Sequence, residues 1–149
     1  MRALGIEIRA SDTLLVILDG ASTDCNIELL TPSRWSLPPD TEQVNQLVAL
    51  KKQVHSVLIS KQIEAIGVIR ADDGCSPIRA KVECVIQLAA KDAAIPCTLV
   101  PAQTVSAIEK RKIKEIAGLN LQEALEQISP GYLSKAAYCA WSVLNDNEK

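Results

Sequence analysis

RADDGCSP, residues 70 to 77, puts two adjacent carboxylates, a thiol and a guanidinium into one loop. The loop follows the apolar run AIGVIR and precedes an amphipathic stretch. Open α/β sheets place their chemistry where a strand releases its chain. Asp72 and Asp73 are therefore candidate metal-binding or acid–base carboxylates, with Arg70 just before them. Cys75, in the same loop, is either an exposed reactive thiol or an ordinary loop residue; the second is the simpler reading. His55 is the only histidine, and it reads as a half-buried helix residue instead of a catalyst. EKRKIKE brings Lys110, Arg111, Lys112 and Lys114 together. Four cations this close suit phosphate contacts. A solvated helix face balanced by Glu109 and Glu115 explains them more simply.

The elements that hold these residues follow from hydropathy patterning. ALGIEIR alternates with period two, as a half-buried strand does. TLLVILDG is a short apolar run closed by a turn signal, and NIELLT reads as a third strand. Links this short join antiparallel strands, because a parallel pair needs a long crossover. PSRWSLPPD holds three prolines in nine residues and is expected to be irregular, with Trp35 capping the core. Asp40 is placed as the cap of a helix running to about Lys61, its apolar face made of Val44, Leu47, Val48, Val54, Val57 and Leu58. AIGVIR is the fourth strand. A helix over about 77–91 follows, with Pro77 in its first turn. PCTLVP is the fifth strand. Helices are expected over AQTVSAIEKRKIKEIAG, over NLQEALEQI from Asn120, and over GYLSKAAYCAWSVL. NDNEK is taken as a polar tail.

The order is βββ-α-β-α-β followed by three helices. It implies one α/β domain over residues 1–149, with a five-stranded mixed sheet in the order 3-2-1-4-5 and helices on both faces. Composition narrows the function. The chain is 48% hydrophobic and 23% charged, with no Phe and a net charge of -2. There is little aromatic surface on which to stack bases, and the net charge is not that of a strongly basic nucleic-acid binder. Five cysteines in no CxxC or zinc spacing read as reduced thiols, with Cys84, Cys97 and Cys139 expected in the core. Reduced thiols, no secretory leader and no apolar run near 20 residues imply a cytoplasmic protein without a membrane span.

This order, together with ALGIEIRA, IGVIRADD, the stretch from Val82 to Lys110 and the Ala-rich SKAAYCAWSVL, resembles the RuvC-like branch of the ribonuclease H-like fold. That branch holds the Holliday junction resolvases. The chain is also similar to a small bacterial RuvC-like family without an assigned function. In the resolvases the first strand reads roughly LGIDPG. The resemblance implies an active site of three or four carboxylates that hold two Mg²⁺ ions, which activate water and stabilise a leaving phosphodiester oxygen. Glu7 falls at the first acid. The second acid belongs where this chain has Ile69 and Arg70, and Asp72 and Asp73 come two or three residues later. The last acids belong where it has Ser134 and Lys135. It also implies that the helix carrying Lys110 to Lys114 lies near bound DNA.

With Arg70 and Lys135 in place of ligands, the expected site is degenerate, with Glu7 beside Arg70 on neighbouring strands and their charges attracting. The expected function is a non-catalytic RuvC-like domain that acts by binding nucleic acid or a protein partner, with a homodimer as a further option and no cofactor. The alternative is a metal-dependent nuclease or resolvase-like enzyme using Glu7, Asp72 and Asp73 with Mg²⁺. An actin-like or sugar-kinase ATPase normally needs two such domains, and no P-loop or dinucleotide fingerprint is present.

Overall fold

The computed structural model describes residues 1–10, 12–37, 43–72, 74–110 and 131–149. The Asp40 cap, Asp73, Arg111, Lys112, Lys114 and the helix placed from Asn120 lie outside those residues.

Strand β1 (Arg2–Arg9) sits mid-sheet. It pairs antiparallel with β2 (Asp12–Ala21), with Glu7 opposite Leu14, and β2 pairs antiparallel with β3 (Asp24–Glu28). Helix α1 (Gln43–Ser60) crosses to β5 (Ala65–Ile69), which lies parallel to β1 with Ile6 opposite Val68. Helix α2 (Pro77–Asp92) crosses to β6 (Cys97–Val100), parallel to β5, and α3 (Ala102–Lys110) follows. A 3₁₀ turn, Gly131–Leu133, leads into the last helix, α4 (Ser134–Asn147). The sheet order β3-β2-β1-β5-β6 is the expected one.

A sixth strand was not expected. β4 (Arg34–Ser36) lies inside the proline-rich stretch and pairs with Asp12–Leu14 of β2. Its three residues lie between the prolines, so no ladder donor is lost. Trp35 caps the core as expected, its ring N–H donating to the Pro32 carbonyl at 3.0 Å.

Alternation along the strands divides the core. Leu4, Ile6, Ile8, Leu15, Ile17, Ile66 and Val68 pack toward α1 and α2. Ala3, Leu14, Val16, Leu18, Ala65 and Ile69 pack with α3 and α4. The face expected for α1 is corrected: Leu50, Val54 and Leu58 are buried, whereas Val44 is 73% and Val48 47% exposed. Val54 and Leu58 share a stripe with Leu50 at four-residue spacing, and Val44 and Val48 belong to a different one. Cys84 is exposed, contrary to expectation, because it lies off the α2 stripe of Val82, Ile86 and Ala89. Burial pushes the Cys25 and Cys97 thiols up to about 11 and Cys139 to about 12. These three thiols are therefore poor nucleophiles at neutral pH.

The polar tail is also corrected. Helix α4 runs on to Asn147, and the Glu148 carboxylate accepts a hydrogen bond from the Ser22 backbone N–H at 2.7 Å. The Trp141 ring N–H donates to the Ser22 carbonyl at 2.8 Å, so the β2–β3 turn is held at two points.

At the opposite end of the sheet from Arg9, Arg2 bonds both Asp19 and Glu28, and Lys61 reaches Glu28 at 3.0 Å. Lys61 and then Arg2 hold the Glu28 carboxyl below its ordinary value of 4.5. A lowered folded value contributes stability that is present above about 4.5 and lost as pH falls through the folded value. Glu28 and Lys61 are 37% and 39% exposed, so screening limits the effect to about 0.5–1 kcal/mol. Glu28→Gln is expected to melt about 1–4 °C below wild type at pH 7 and by less at pH 3. A gap of equal size at both pH values would show that charge is not the cause.

Candidate functional site

Strands β1 and β5 run parallel, so their carboxyl ends open on the same side, beside the first turn of α4. A cleft of about 290 Å³ lies there, lined among others by Glu7, Arg9, Asp72, Arg79 and Lys135. Three separate pieces of sequence, carrying Glu7, Asp72 and Lys135, are thus brought together. Other ties fix the pieces. The Ala71 N–H donates to the Glu83 carboxylate of α2 at 2.7 Å, which anchors the loop that carries Asp72. Ser76 caps α2, accepting from the Arg79 backbone N–H at 3.4 Å, and so sets where Arg79 begins its turn. Arg34 of β4 pairs with Asp12 and stacks over the Tyr132 ring, 5.5 Å from its centroid. That contact joins the β1–β2 end of the sheet to the turn that launches α4.

Glu7 is only 6% exposed. One carboxylate oxygen pairs with the Arg9 Nε–H. The other is buried without a hydrogen-bond partner among the described residues. The expected Glu7–Arg70 pair is not formed. Strand parity explains why. Continuing the register of Ile6 with Val68 sets Glu7 beside Ile69, and both point to the α3/α4 face. Arg70 is one residue further, so its side chain turns to the other face, and it is exposed. Arg9 is two residues from Glu7 on the same strand and shares its face. The pattern E-x-R within an alternating strand was the available signal for this pair, and sequence reasoning overlooked it. Arg79 was overlooked too: its Nε lies buried without a partner among the described residues, at the cleft. Its position three residues after the Ser76 cap was the clue.

Ser134 does not line the cleft. Its hydroxyl donates to the Gly131 carbonyl at 2.8 Å and stiffens the turn before α4. Leu133 is the N-cap of α4 and supplies no side-chain cap, two residues before Lys135, so the positive helix end adds to the cationic side of the site. Lys110 closes α3 and is exposed.

No protein-family model matches the chain, and no curated protein matches it in sequence. Solved structures do. Thermus thermophilus RuvC, in complex with a Holliday junction substrate, superposes with a TM-score of 0.75 at 17% identity, over 99% of this chain and 96% of that one. The fold is the RuvC type of the ribonuclease H-like fold. The fowlpox virus resolvase in complex with Holliday junction DNA follows at a TM-score of 0.55 and 11% identity, with both chains covered to 100%. The yeast mitochondrial Holliday junction resolvase Ydc2 gives 0.57 at 13% identity, over 95% of this chain and 77% of that one.

The two-Mg²⁺ centre that such a fold invites does not fit the described residues. Two ions need several carboxylates with free oxygens at metal-bridging distance. Here Glu7 is engaged by Arg9, Asp72 is exposed, and the remaining charged groups of the cleft are cations. No group of three His, Cys, Asp or Glu side chains able to hold a metal occurs among the described residues. Among the described residues, Arg9, Arg79 and Lys135 set against Glu7 and Asp72 give the cleft lining one net positive charge. That balance suits an anion such as a phosphodiester and repels a divalent cation. Among the described residues, no helix is long and apolar enough to cross a membrane.

Proposed function

We propose that this RuvC-type domain binds nucleic acid through phosphate contacts at the cleft and does not cleave it. One observation carries the reading: among the described residues at the carboxyl ends of β1 and β5, Arg9, Arg79 and Lys135 outnumber the carboxylates Glu7 and Asp72, and Arg9 occupies Glu7. Guanidinium and ammonium groups bind phosphate oxygens well and donate no oxygen to a metal. The solved neighbours that share the fold are resolvases, and two of them are held on Holliday junctions, which makes branched DNA the first ligand to try.

The test is purified protein with a four-way junction, single-stranded DNA and an RNA–DNA hybrid, each with Mg²⁺ and with Mn²⁺. The expected result is binding of the junction without cleavage of any substrate. Wild-type cleavage that disappears in Asp72→Asn/Asp73→Asn would replace this reading with that of a metal-dependent nuclease. Absence of binding at low salt would remove the nucleic-acid reading altogether.

A further inference from the structure

Of the two described carboxylates that line the cleft, Asp72 is exposed and Glu7 is the buried one, set against any anionic ligand from inside the site. It is nine-tenths buried, it lies on the same strand face as Arg9, and one of its oxygens already occupies the Arg9 Nε–H. Among the described residues, the other oxygen is buried without a partner, and Arg9 is the only cation paired with this carboxylate. Arg9 itself is about half exposed. Its Nε–H is held by Glu7, and the residue lines the cleft. Arg79 and Lys135 line the same cleft and have no ion pair among the described residues.

We infer that Glu7 is an internal competitor for the ligand: its carboxylate occupies Arg9 in the free protein, and an incoming phosphate must share or displace it. The inference rests on the phosphate-binding reading above and specifies how that site is regulated. The physical argument is one of competing anions. A guanidinium has five N–H donors in a planar fork and can serve two anions. Two anions on one fork repel each other, and the repulsion subtracts from the affinity for phosphate. The same carboxylate keeps Arg9 in place when no ligand is present, so that the free cleft does not collect small anions indiscriminately. Glu7 thus sets how strongly the site binds, and touches no reacting atom.

Because Arg9 is half exposed, the coupling has the size of a screened ion pair, about twofold to fivefold in affinity. The experiment measures the binding of a labelled four-way junction by anisotropy at one fixed ionic strength, for wild type, Glu7→Gln, Arg9→Met and the double variant. Glu7→Gln keeps the shape and removes the charge. It is expected to bind about twofold to fivefold more tightly than wild type, and that gain is expected to vanish in the Arg9→Met background. Thermal melts of the four proteins confirm that each is folded. Equal or weaker binding by folded Glu7→Gln overturns the inference, as does a gain that persists without Arg9.

A second measurement separates this inference from the reading beneath it. The Arg9 Nε–H NMR signal is followed during titration with inorganic phosphate in wild type and in Glu7→Gln. A response at lower phosphate concentration in Glu7→Gln supports the competition even if no nucleic acid binds, in which case only the nucleic-acid reading falls. Identical responses in the two proteins sink the competition whatever the junction does.

Discussion

Gly5→Ala is expected to lower stability by about 3 kcal/mol, the upper end of what an overpacked core usually costs. A Cβ at Gly5 meets the Ala136 carbonyl oxygen at 1.9 Å, the Ala140 backbone nitrogen at 2.6 Å and the Ala140 Cβ at 2.8 Å. The nearest obstacles are helix backbone, which cannot rotate away. Relief requires α4 to lift off β1, and α4 carries Ala136, Ala140, Trp141 and Lys135, so both core and cleft shift with it. For a domain of this length the loss is roughly 6–12 °C in Tm. Gly67→Ala should cost less, about 1–2 kcal/mol, because its nearest clash is a side-chain atom, the Val143 Cγ2 at 2.5 Å, and the nearest backbone atom, the Cys139 carbonyl oxygen, lies at 3.1 Å. Gly131→Ala is the control: nothing lies within 4 Å of its Cβ, and the expected change is within about 0.5 kcal/mol. Urea unfolding of the three variants checks the ranking. If Gly5→Ala and Gly131→Ala unfold at the same urea concentration, the close packing of α4 on β1 is wrong.

The second large effect concerns the ligand. Replacing Arg9, Arg79 and Lys135 together by Met is expected to weaken binding of a four-way junction roughly 100-fold at low salt. The slope of log affinity against log salt should fall by about 3, since each phosphate contact contributes close to one unit. Met keeps much of the aliphatic length of these side chains and removes the charge, so loss of packing is kept small. Lys91→Met is the control. Lys91 lies in the last turn of α2, at the opposite end of that helix from Arg79, and its loss should leave both affinity and slope nearly unchanged. Titrations across several salt concentrations measure both quantities. An affinity loss with an unaltered slope would mean that the triple variant had lost structure and not phosphate contacts; a loss equal in Lys91→Met would mean that binding is spread over the whole surface.

Both expectations depend on how much of this site was legible in one sequence. Alternation in ALGIEIR, the short links to TLLVILDG and NIELLT, and the longer crossovers before AIGVIR and PCTLVP determined the sheet order, because period and link length are local properties of the chain. That Glu7, Asp72 and Lys135 line one cleft is seen only in the folded chain, where parallel strands end on one side and α4 starts there. The Ala-rich stretch SKAAYCA was legible as a helix, but its close approach to the sheet at Gly5 was not.

What only the tertiary structure decided is which neighbours these residues meet. Arg70 was expected beside Glu7 and is not, because one residue of register along β5 turns a side chain to the opposite face, and register between strands is set by long-range pairing. Arg9 replaced it as the partner. The strand Arg34–Ser36 exists because Asp12–Leu14 of β2 has an open edge to pair with, which the prolines around it concealed. Val44 and Val48 stay exposed because the sheet meets a different stripe of α1, and Glu148 is anchored because the β2–β3 turn comes to it across 126 residues of sequence. Local patterning specifies elements and their order; the side chain that faces a given cation depends on packing between segments far apart in the chain, where a single-residue change of phase reverses the answer.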